Sequence, residues 1–114
     1  SKIKAHKALD EGRKKEAIKY FREFMVIIAA EKESTQDPRN DLRYPPSMTL
    51  GKNASRIGDI FKSLGDSKAA ADAYAEARDY YNEAIEKTKE GSTEQAEILR
   101  EMAKVPEKKI IQPR

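Results

Sequence analysis

The chain of 114 residues contains no cysteine and no tryptophan, a single histidine, and only five glycines and five prolines. Without cysteine there can be no disulfide and no thiolate metal site, and nothing points to an oxidising compartment. His6 stands alone, with no glutamate three residues before it, so the zinc and di-iron spacings are absent and no metal or cofactor is expected. The glycines are scattered singly, which leaves no loop that could cradle a phosphate. Long apolar runs are missing too. The longest, Phe24 to Ala30, covers seven residues, against the roughly 20 needed to cross a bilayer. No secretion signal is read, so no membrane association is expected and the cytosol is the expected location.

What is present is charge. Charged and hydrophobic residues each make up 38% of the chain, so the apolar positions must be gathered onto faces if one domain of this length is to fold. The net charge of +3 is small; residues 1–33 hold nine basic and six acidic groups, and residues 51–90 hold seven and eight. Carboxylates such as Asp72, Glu76, Asp79 and Glu83 alternate with Lys and Arg along helical spacings, the pattern of a solvated face. No general acid or base can be nominated among them, and the chain is not expected to be an enzyme. Asn53-Ala54-Ser55 matches a glycosylation triplet, but without a secretion signal it carries no weight.

The apolar residues do follow helical periods. Ile3, Ala5, Ala8 and Leu9 form a short pattern that ends in the turn Asp10-Glu11-Gly12-Arg13. From Lys14 to about Glu33, Ala17, Phe21, Phe24 and Ile28 recur on one helix face. Residues 34–50 are rich in turn formers, including Asp37-Pro38 and Tyr44-Pro45-Pro46-Ser47, and read as a long loop. Helical spacing resumes near Gly51 with Ala54, Ile57, Phe61 and Leu64. After Gly65-Asp66 it continues through Ala70, Ala73, Tyr74, Ala77, Tyr81 and Ala84 towards Gly91. Ser92-Thr93-Glu94-Gln95 has the form of a capping box. It opens a fifth helix with the stripe Ala96, Leu99, Met102 and Ala103, ended by Pro106. The prediction is an all-α domain of five helices over residues 1–105, followed by a frayed polar tail over 106–114.

Within residues 51–81, Ala54, Ile57-Gly58 and Phe61 are followed by Gly65-Asp66, Ala70, Tyr74 and Ala77. This spacing resembles the tetratricopeptide repeat, a helical hairpin in which small residues let two helices approach and aromatics fill the space between them. A first unit fits less fully, with Ala5, Ala8, Gly12, Ala17 and Phe21, and Asn82 replaces the proline that usually closes the second unit. The resemblance implies two hairpins plus a capping helix, with a protein-interaction function. It also implies a groove lined by the first helix of each hairpin, where Lys2, His6, Lys52, Ser55, Arg56, Asp59 and Ser63 would face a peptide or helix, possible partners including an acidic segment.

Two further expectations come from the residues themselves. The apolar run on the second helix leaves Met25, Val26 and Ala29 opposite the face needed inside the hairpin, a candidate interface for a homodimer. Arg13-Lys14-Lys15, with Lys4, Lys7 and Lys19, could contact the phosphates of a nucleic acid. That reading is the weaker one, because Asp10, Glu11 and Glu16 alternate with these residues and no aromatic lies among them to stack bases.

Overall fold

The computed structural model describes residues 2–34 and 45–106, with backbone alone for Lys2 and residues 31–34. These residues form five helices and no strand: α1 (Lys2–Asp10), α2 (Lys14–Ser34), α3 (Pro46–Ser63), α4 (Ser67–Glu86) and α5 (Thr93–Ala103). The chain is all-α, as its patterning implies. Asp66 caps α4 by accepting the Ala69 N–H at 3.0 Å. At the start of α5 the Ser92 hydroxyl accepts the Gln95 N–H at 3.1 Å, while the Gln95 side chain accepts the Gly91 N–H at 2.9 Å. This is a capping box whose return arm reaches one residue further back than usual.

Two helix boundaries differ from the expected ones. α3 begins at Pro46, ahead of Gly51, because proline at the first helical position sacrifices no hydrogen bond and has the right φ already. Pro45 before it is extended. The loop expected over 34–50 is shorter at that end; residues 35–44, with Leu42 and Tyr44, lie outside the described residues. α4 stops at Glu86, before Gly91, where the Lys87 N–H turns to the Ala84 carbonyl at 3.1 Å and the Thr88 hydroxyl donates to the Ile85 carbonyl at 2.8 Å. The tail expected over 106–114 begins with an anchored residue, since the Pro106 carbonyl accepts from Arg78 Nη1 at 2.6 Å and Val105 is buried. Residues 107–114 lie outside the described residues.

Each helix packs on the one before it in the chain, and the α3–α4 contact is the most extensive. A Cβ built on Gly58 would stand 2.5 Å from the Tyr74 ring, and one on Gly51 would stand 2.9 Å from the Tyr81 ring. Seven residues back along α3 thus correspond to seven residues on along α4, so the two helices run antiparallel. Gly65, at φ 84, makes the reversal between them, in a backbone region that side chains disfavour. The molecule measures 43 × 37 × 20 Å, and its least dimension is two helix diameters of about 10 Å. The core is one layer deep.

On α2 the buried face is Ala17, Phe21, Met25 and Ile28. The expectation that Met25 faces outward is therefore corrected: Met25 is 4% exposed and Phe24 is only partly buried. At about 100° per residue, Met25 lies about 40° from Phe21 around the helix and Phe24 about 60° to the other side, so the inner face centres nearer Met25. On α5 the expected stripe is corrected as well. Ile98 is fully buried, whereas Leu99 is nearly half exposed and Ala103 is exposed. Ile98 and Met102, with Val105 beyond the helix, are the residues this segment gives to the core, and α5 packs on α4.

Candidate functional site

Residues 52, 55, 56 and 59 fall at helical spacings of three, one and three, which gathers Lys52, Ser55, Arg56 and Asp59 onto one face of α3. Asn53 between them turns the other way, is buried, and donates to the Thr49 carbonyl at 2.8 Å, so the acceptor asparagine of the glycosylation triplet lies inside the fold. Across from that face stand Glu101 of α5 and Lys104 at its C-terminal cap, on a helix whose buried anchor is Ile98. Together with Tyr81 and Pro106 these side chains line a cleft of about 320 Å³.

The polar groups of the cleft differ in how far they are already engaged. Asp59 accepts a 2.5 Å hydrogen bond from the Tyr74 hydroxyl. Glu101 accepts from Lys104 Nζ at 3.2 Å. Arg56 Nη1 lies 3.2 Å from His6 Nε2, which links α1 to the same face, and the His6 ring meets Phe21 edge-on at 5.4 Å. Burial raises the pKa of the Tyr74 phenol, and the hydrogen bond to Asp59 raises it further. Burial raises Tyr81 likewise; the Glu101 charge adds to the effect and Arg56 opposes it. Both phenols keep their protons at any physiological pH; Tyr74 donates to Asp59, and the Tyr81 hydroxyl is left able to donate.

Of the residues expected in the groove, Lys52, Ser55, Arg56 and Asp59 share the cleft, and His6 joins it through Arg56. Ser63 does not: it is exposed at the far end of α3, and its hydroxyl donates to the Ile60 carbonyl at 2.7 Å. The side chain of Lys2 lies outside the described residues. Tyr81, Glu101 and Lys104 escaped the sequence reading. For Tyr81 a signal was present, because Gly51 and Gly58 are seven residues apart and so are Tyr74 and Tyr81. Each tyrosine passes over a glycine of α3 and brings its hydroxyl to the far face.

Elsewhere, Val26 is 69% and Ile27 51% exposed on the outer side of α2, while Ala29 is half-buried. Among the basic residues of α1 and α2, Arg13 is held by both Glu11 and Glu16. The expectation that no aromatic accompanies them is corrected, since Lys4 Nζ sits 5.9 Å from the centre of the Tyr20 ring. No helix among the described residues is long and apolar enough to cross a membrane. No protein-family model, curated protein or solved structure matches the chain.

Proposed function

We propose that the chain is a protein-interaction module of the tetratricopeptide-like kind, a cytoplasmic scaffold or adaptor that binds a peptide or helix rather than catalysing a reaction. The observation that carries this reading is the cleft: residues from α3, α4 and α5 converge on one concave patch, and a contact from α1 extends it. The close approach of Gly58 to Tyr74 supports the same reading, because it sits where the repeat pattern places its small residue and its aromatic. Three cations against two carboxylates in the lining favour an acidic segment.

Peptides selected on the immobilised protein from a random library test it. The selected peptides are expected to be acidic, and Lys52→Glu with Lys104→Glu should weaken their binding at least about tenfold. Lys68→Glu, a change on the exposed side of α4, should leave it unaltered. Peptides that bind the cleft variant as well as the wild type would overturn the reading.

A second reading is favoured by Val26 and Ile27, two large apolar side chains side by side on the surface of α2. Symmetric pairing of α2 with its copy would bury them on both chains. Sedimentation equilibrium at tens of micromolar is then expected to give a dimer, and Val26→Glu to give a folded monomer. A monomeric wild type refutes this reading. For nucleic acid, the Lys4 contact with Tyr20 is offset by Arg13, which is already held by its two glutamates.

A further inference from the structure

The floor of the cleft is a tyrosine that belongs to the helix behind it. Tyr81 is 1% exposed, yet it lines the cleft beside Arg56 and Glu101, because Gly51 leaves no side chain in its way. Tyr74 makes the same crossing and ends on Asp59. The Tyr81 hydroxyl has no such partner among the described residues, and Glu101 and Arg56 act on it only through space. The ring is buried, but the hydroxyl is not a buried unpaired atom: it opens into the cleft, where it can donate to an incoming acceptor. The two carboxylates of the lining each accept one hydrogen bond within the fold, Asp59 from Tyr74 and Glu101 from Lys104. The lining thus sets the donors of Lys52, Arg56, Lys104 and Tyr81 against two carboxylates.

Resting on the binding-module reading above, we infer that the cleft takes one side-chain carboxylate of an acidic peptide, and that the Tyr81 hydroxyl is the donor that distinguishes a carboxylate from its neutral amide. Net charge narrows the class of anion. The lining carries Lys52, Arg56 and Lys104 against Asp59 and Glu101, a surplus of one positive charge. One carboxylate matches that surplus, whereas a phosphomonoester brings about −1.5 to −2 and would meet the two resident carboxylates with an unbalanced charge. Discrimination against the amide follows because a carboxylate offers an acceptor oxygen to both Arg56 and the phenol, whereas an amide has one oxygen, must give it to the donor-only guanidinium, and leaves the phenol proton without an acceptor.

Blocked peptides that differ at one position, carrying glutamate, glutamine or phosphoserine in an otherwise identical acidic segment taken from the library selection, provide the probes. Isothermal titration should show the glutamate peptide binding about tenfold or more tighter than the glutamine peptide, and the phosphoserine peptide no tighter than the glutamate one. Tyr81→Phe removes no hydrogen bond of the described fold, so its denaturation midpoint should hold while most of the glutamate-over-glutamine preference disappears. Arg56→Gln should weaken the glutamate peptide and leave the glutamine peptide nearly unchanged. Equal binding of glutamate and glutamine peptides overturns the carboxylate inference alone, and tighter phosphoserine binding overturns the selection of a single charge. A Tyr81→Phe protein with its preference intact removes Tyr81 from the role. If no peptide of the set binds at millimolar concentration, both this inference and the binding-module reading fall.

Discussion

Gly58→Val should lower the stability of the folded chain by about 3 kcal/mol, at the upper end of what overpacking costs. The first atom of the new side chain would stand 2.5 Å from the Tyr74 ring, inside van der Waals contact, and two methyl groups follow it. Swinging the ring away offers no escape: Tyr74 is buried, and its hydroxyl is tied to Asp59 at 2.5 Å. Either α3 and α4 separate, exposing the alanine seam of Ala70, Ala73 and Ala77, or the tyrosine abandons its hydrogen bond. Opposing this cost, removing a mid-helix glycine returns up to about 1 kcal/mol of backbone entropy. The clash wins on magnitude. Urea denaturation measures the difference, and in a Tyr74→Ala background the cost of Gly58→Val should shrink sharply, because the two positions share one contact. An unchanged midpoint in the single variant would refute the close approach.

Ile98→Ala is the second large effect, at about 2 to 5 kcal/mol for truncating a fully buried isoleucine. α5 packs chiefly on α4, and Ile98 is the one buried hydrophobic residue within its span. Losing it should release the helix before the rest of the fold gives way, since locally weak elements open first. Amide hydrogen exchange is expected to show loss of protection over 93–103 with α3 and α4 still protected, and the cleft should lose its Glu101 and Lys104 wall. Leu99→Ala, at the neighbouring exposed position, should change stability by no more than about 0.5 kcal/mol. Equal effects at 98 and 99 would mean that α5 is rotated away from the orientation in which Ile98 faces the core.

These two positions also show what could be read in advance. Gly58, Ala70 and Ala77 announced the α3–α4 contact, because small residues at helical spacing on facing helices are what a close backbone approach requires. Ile98 did not announce itself. Ala96, Leu99, Met102 and Ala103 form as plausible a stripe as Ile98 and Met102, and in an 11-residue helix the choice falls to Val105, which lies beyond its end. The α2 face failed by a similar margin, since Phe24 and Met25 are adjacent in a run that is apolar on every side. Pro45-Pro46 read as a break although the second proline opens a helix, because the same residue both ends and begins helices. Half of the cleft was legible, namely the α3 face from Lys52 to Asp59. The other half depends on where α4 and α5 dock, which no local pattern in either helix reveals.

The pairing of Gly51 with Tyr81 couples two properties that usually vary separately. An enlarged residue at 51 needs the space that the ring occupies, and a shrunken residue at 81 leaves a hole against a glycine with nothing to fill it. The two positions share a single volume and can change only together. Whatever lineage trades that volume the other way, with bulk on α3 and a small residue on α4, also withdraws the hydroxyl from the cleft. Drift in the packing of the core would then be read out as a change in which partners the surface accepts.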